Sequence, residues 1–101
     1  MINWNNMDTL ASYQALANAE RVNIVEAMAG ENGAERVKKY SAPMGAGMDF
    51  NYGARPVDDK ILAALADFAK EAQLTEKFAA LYNGEVINTG EKRLVLHHMC
   101  R

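Results

Sequence analysis

Cysteine is nearly missing from this sequence. Cys100 is the single one in 101 residues. One cysteine cannot close an internal disulfide, so nothing points to an oxidising compartment. An excess of positive charge is missing too. Formal net charge is −2, and the densest basic spot is Lys38-Lys39. Duplex and single-strand binders need a clustered basic surface, which argues against a nucleic-acid partner. Long apolar runs are also lacking. The longest, Ile61 to Ala66, falls far short of the roughly 20 residues that span a bilayer. The first positive charge is Arg21, and Met1-Ile2-Asn3-Trp4-Asn5-Asn6 has neither the charged nor the apolar region of a signal peptide. The expectation is a cytoplasmic chain with no membrane partner.

What is present suits a folded unit. Half the residues are hydrophobic and 24% are charged, which is outside the range of disordered chains. The length allows one domain at most, or a piece of a larger one. Much of the apolar half is alanine, which contributes little buried area per residue.

Helical periodicity dominates. A first stretch begins near Asp8 or Thr9, either of which can cap it, and continues through Leu10, Tyr13, Leu16 and Ala17 toward Val22, Val25 and Met28, with room for a bend. Gly30 and Gly33 punctuate it. A short helix over Ala34 to Tyr40 follows, with Val37 and Tyr40 inward. Ser41 to Gly47 reads as a loop. Met48 to Tyr52 alternates as a strand or hairpin arm, ended by Gly53 and Pro56. Asp58 is a good N-cap for a helix whose face is Ile61, Leu65, Phe68 and Ala72. Thr75 can cap the next helix, with Phe78, Leu81 and Tyr82 on its buried side and Asn83-Gly84 as its stop. Glu91 to Arg101 reads as a last helix. The fold class expected is mainly α, with a short strand or hairpin near 48–53, in a single unit over residues 1–101.

The sequence carries few chemical motifs. Gly45-x-Gly47 is not a dinucleotide fingerprint: position 50 is Phe50, and no strand is expected before it. His97 and Cys100 are two ligands where a zinc site needs three or four. The methionines are simpler to read as core filler. Serines lack a nucleophile elbow, and the acidic residues fall on caps and solvated faces. One pattern remains. Arg93, His97 and Arg101 recur every four residues, so a helix would align them in a basic stripe. Such a stripe suits a phosphate. It equally suits a solvated face paired with Glu85 or Glu91.

The same end of the chain carries a longer pattern. Tyr82-Asn83-Gly84-Glu85-Val86-Ile87-Asn88-Thr89-Gly90-Glu91-Lys92-Arg93-Leu94-Val95-Leu96-His97 resembles a segment near the N-terminus of glucose-6-phosphate isomerases, where members read G-E-x-I-N-x-T-E-x-R-A-V-L-H, then a few residues and an arginine. Gly84, Glu85, Ile87, Asn88, Glu91, Arg93, Val95, Leu96, His97 and Arg101 match without a gap. Gly90 replaces a threonine and Leu94 an alanine. The order of the remaining elements fits as well, including a short helix that carries Arg36. Where the family tends toward D-Y-S-K-N, Asn51-Tyr52-Gly53-Ala54-Arg55 keeps only the tyrosine.

The resemblance implies the N-terminal part of a longer, dimeric α/β isomerase. Such enzymes interconvert glucose 6-phosphate and fructose 6-phosphate in glycolysis and gluconeogenesis, without metal or organic cofactor. A histidine helps open the ring and a glutamate moves a proton through an enediol. Those groups lie further along the family sequence, so no catalytic residue is implied within 1–101. Arg93 and His97 are the residues the resemblance puts near the sugar or its phosphate, with the rest of the chain as partner. The alternative is a stand-alone helical interaction module without chemistry, or a small sugar-phosphate binder using the Arg93 stripe.

Overall fold

The computed structural model describes residues 1–100, with only the backbone described at Cys100. Its order is a 3-10 turn (Met7–Thr9), α1 (Ala11–Ala17), α2 (Ile24–Ala27), α3 (Glu31–Lys39), β1 (Ser41–Gly45), β2 (Met48–Asn51), α4 (Asp59–Glu71), α5 (Leu74–Tyr82), β3 (Val86–Asn88), β4 (Arg93–Leu94) and a second 3-10 turn (His97–Cys100). The fold is mainly helical with a short hairpin near 48–53, as expected, and it has a second short antiparallel strand pair besides. No helix among the described residues is long and apolar enough to cross a membrane. The chain divides into two compact units, one formed by Ala19–Leu62 and one by Met1–Asn18 with Ala63–Arg101.

In the Ala19–Leu62 unit, Asn23 caps α2. Its Oδ1 accepts the Val25 and Glu26 N–H groups at 3.1 and 3.4 Å. The single long helix expected from Asp8 to Met28 is therefore broken: Asn18 ends α1 and Asn23 starts α2, because asparagine bonds its own neighbours better than it continues a helix. Gly30, at φ +61°, turns the chain into α3, which starts at Glu31 rather than Ala34. Tyr40, 5% exposed, is the unit's buried hydrophobic side chain. Tyr52 packs on it at 5.4 Å between ring centroids, and the Arg36 guanidinium sits 4.8 Å above its ring. Val37, expected inward, is exposed instead, because Gly33, Arg36 and Tyr40 make the inner line of α3.

The loop expected over 41–47 is mostly strand, β1 taking Ser41–Gly45. β1 pairs with β2 in the register Ser41↔Asn51, Ala42↔Phe50, Pro43↔Asp49, with an irregularity before Gly45↔Met48. Pro43 disguised it, yet proline is compatible with a two-stranded sheet in which every strand is an edge. A strand does precede Gly45-x-Gly47, contrary to expectation. It leads into a hairpin turn at φ +90°, +50° and +74° rather than into a helix, so the phosphate-loop reading still fails. Arg36 then anchors the segment after β2. Its Nε donates to the Gly53 carbonyl at 3.1 Å, and one Nη donates to those of Arg55 and Val57 at 3.1 and 2.8 Å. Lys39 donates to Asp59 at 2.6 Å; that bond raises the lysine pKa and lowers the carboxyl's, but both side chains are more than half exposed and the pair contributes little.

The second unit is built on α4 from Ala63 onward and on α5; the first turn of α4 belongs to the Ala19–Leu62 unit. Asp58 caps α4 as expected, its Oδ1 accepting the Ile61 N–H at 2.8 Å. Along the expected face, Ala72 is buried and Phe68 half-buried against Tyr13 at 6.0 Å, while Leu65 stays 39% exposed. The caps expected of Asp8, Thr9 and Thr75 are not used. Leu10 precedes α1 without a side-chain bond, and Gln73, left-handed at φ 54°, precedes α5. Gln73 works elsewhere. Its amide accepts the Asn3 N–H at 2.6 Å and donates to the Met1 carbonyl at 3.1 Å, as a peptide group would, and so pins the first residues.

The N-terminus of α1 is served from a distance, by Glu71. Its Oε2 accepts the Ser12 N–H at 2.8 Å. The Ser12 hydroxyl beside it, buried without a well-formed hydrogen bond, and this N–H hold the Glu71 carboxyl below its ordinary value of 4.5. A lowered carboxyl pKa adds stability that is present above the unfolded value and lost as pH falls through the folded one. The protection factor of the Ser12 amide is therefore expected to drop as pH falls below that ordinary value, and E71Q to show the low protection at neutral pH already. Equal protection in E71Q and the parent would remove this role.

Candidate functional site

The family-like segment starts where α5 stops. Asn83 ends the helix and Gly84 follows at φ +74°. The Gly84 N–H bonds the Leu81 carbonyl at 3.2 Å, and the Glu85 N–H bonds that of Ala80 at 2.9 Å. This pair of bonds is a Schellman motif, which requires a left-handed residue at Gly84 and so explains the glycine there. Glu85 thus contributes its backbone to the cap while its side chain is exposed.

A hairpin follows. β3 and β4 pair antiparallel with Val86↔Leu94 and Asn88↔Arg93 in register. Asn88 shapes the turn, its Oδ1 accepting the Glu91 N–H at 3.2 Å, and Lys92 takes φ +55°. Glu91 faces Arg93, with 3.7 Å between Oε2 and Nε; the side chains are 65% and 77% exposed. A pair this open and long is weak, which leaves the Arg93 guanidinium available to an outside anion.

The last helix expected over Glu91 to Arg101 does not form. Arg93 lies on a strand and His97 opens a 3-10 turn, so no helical spacing aligns them into a stripe. The physical reason is the turn Asn88 and Lys92 make, which starts a strand where periodicity alone read a helix. His97 is exposed. Arg101 lies outside the described residues. Gly84, Glu85, Asn88, Glu91 and Arg93 are thereby gathered on one cap-and-hairpin element, as turn-forming or exposed residues. Among the described residues, no group of three or more His, Cys, Asp or Glu side chains stands ready to hold a metal.

His98 has a structural role that its place in the sequence does not signal. Its ring stacks on Tyr82 at 5.2 Å, and its Nε2 lies 3.1 Å from the Tyr82 carbonyl, which ties the 3-10 turn back to the end of α5. Sixteen residues separate the two, and no local spacing signals such a pair.

Comparison with known proteins falls on this same element. The family profile "PGI: Phosphoglucose isomerase" matches residues 51–101. The chain belongs to the phosphoglucose isomerase family. Glucose-6-phosphate isomerase of Treponema denticola is 43% identical over 103 residues, which take in 97% of this chain and 20% of the relative. That of Treponema pallidum (strain Nichols) is 43% identical over 100 residues, 99% of this chain and 19% of the relative. That of Borrelia garinii subsp. bavariensis is 31% identical over 102 residues, 100% and 18% respectively. The chain thus spans about a fifth of the length of these curated relatives.

Proposed function

We propose that this chain is the N-terminal segment of a glucose-6-phosphate isomerase and is not itself catalytic. The observation that supports this best is 43% identity along nearly the whole chain with relatives of that name, each about five times longer. In this reading residues 1–101 are one part of a cytoplasmic, homodimeric enzyme of glycolysis and gluconeogenesis. The complete chain interconverts glucose 6-phosphate and fructose 6-phosphate by moving a proton between neighbouring carbons, and the acid and base sit in the remainder of the chain.

The segment's own chemistry agrees with a supporting role. Three of its thirteen carboxylates are engaged in structure: Asp58 caps α4, Glu71 serves α1, and Asp59 pairs with Lys39. Arg93 and His97 are exposed and not consumed by the segment's packing, so they are its candidates for facing the sugar or its phosphate.

The test is turnover. The full-length chain is expected to interconvert the two sugar phosphates, and purified residues 1–101 to do so no faster than buffer. Turnover by 1–101 alone would overturn the non-catalytic reading. A folded full-length chain without turnover would overturn the isomerase reading.

A further inference from the structure

We propose that the exposed apolar face of α5 and the β3–β4 hairpin is an intrachain interface, covered in the complete protein by the rest of the isomerase chain. The inference rests on the isomerase reading and adds to it which face docks.

Leu74, Phe78 and Tyr82 follow one another at steps of four down α5, so they form one line, and they are 60%, 65% and 62% exposed. The helix turns a different side inward, where Ala80 is buried. Neither charged residue of α5, Glu76 or Lys77, lies on the exposed line. The face continues where α5 ends. Val86 and Leu94 are cross-strand partners and share a side of the hairpin, both 47% exposed, and Met99 follows on the 3-10 turn. The His98–Tyr82 stack holds that turn against the end of α5, and β3 lies in contact with the same helix.

Large side chains on a helix ordinarily face inward. An uncharged row of this kind suits an apolar partner, not an anion or a nucleic acid. The relatives supply the occupant: about four-fifths of their length lies outside the part this chain matches.

The experiment is hydroxyl-radical footprinting of the full-length chain, read residue by residue by mass spectrometry, native against urea-unfolded, with isomerase turnover measured on the same preparation. The exposure of Phe78 and Tyr82 in the segment allows them less than about twofold protection. Burial under the remaining chain is expected to give Phe78, Tyr82 and Met99 at least about fivefold protection, unchanged on dilution. Protection below twofold overturns the proposal. Protection that disappears on dilution overturns it too, by assigning the face to a second copy. Turnover is a separate readout: a protected face without turnover retains the interface and removes the isomerase reading, and turnover with an unprotected face does the reverse.

Discussion

Replacing Gly33 with alanine is expected to destabilise the Ala19–Leu62 unit by about 2 kcal/mol and to cut amide protection across α3 and the β1–β2 hairpin by roughly 30-fold. Gly33 is buried within α3, and a Cβ there would stand 2.5 Å from the Met28 carbonyl oxygen and 3.3 Å from its carbon. Both are backbone atoms, so no rotamer change relieves the overlap. Forcing extra volume into a packed site costs about 1–3 kcal/mol, and contact this short belongs at or above the upper end. Alanine returns about 1 kcal/mol through its better helix propensity. The overlap wins. Gly47 is the control: it has positive φ but open space around it, so Gly47→Ala meets backbone strain alone, about 1 kcal/mol. Hydrogen exchange read by mass spectrometry separates the two, and equal losses would show that the approach to Met28 is not what Gly33 provides.

The other large effect is expected at Arg36. Its guanidinium satisfies three carbonyls, those of Gly53, Arg55 and Val57, across a stretch with no regular structure of its own. Hydrogen bonds from a charged donor contribute roughly 1.5–3 kcal/mol each when enclosed. Water can replace part of this at the exposed Arg55, so Arg36→Met is expected to cost about 3 kcal/mol rather than the sum. The loss of the cation–π contact with Tyr40 is included. Arg36→Lys should recover less than half, because an ammonium cannot present a planar fork to three acceptors. Exchange protection over Gly53–Val57 in the two variants checks this. Full protection in R36K would mean that charge alone, not geometry, holds the segment.

Neither residue is marked by sequence spacing as a structural anchor, and their importance shows in the fold. Gly33 reads as punctuation until Met28 is seen against it. Arg36 is only a residue carried by the expected short helix until residues 17 to 21 positions later come under it. The same holds for Gln73, whose partners Asn3 and Met1 are 70 and 72 residues away. For Arg36 and Gln73 the partner is non-local, and for Gly33 it is a backbone carbonyl five residues back; hydrophobic periodicity carries no record of either.

The candidate element divides the same way. Asn83-Gly84 as a helix stop was legible, because a left-handed cap needs glycine at that place and the requirement is local. The family pattern over Gly84–His97 was legible as well, and the family profile falls on it. The helix drawn from Glu91 onward was not correct, since Arg93 and Leu94 find their partners across a turn in Asn88 and Val86. Pairing of this kind is decided between strands, whereas spacing along one strand is all a sequence displays. Phe78 and Tyr82 were read as buried because helical periodicity marks an apolar side without saying what covers it. In the fold that side is open, and Ala80 fills the interior instead.

The sequence by itself therefore determined the helical class, the caps at Asp58 and Asn83-Gly84, and the kinship of the C-terminal half, all of which depend on residues within a turn or two of each other. Only the tertiary structure decided the strand pairings, the carbonyl clamp of Arg36, the pinning of the first residues by Gln73, and which apolar face is left for a partner. Those depend on partners that spacing along the chain does not name, whether across a hairpin turn or up to 72 residues away, where backbone polar groups find their acceptors and apolar side chains either meet or remain uncovered.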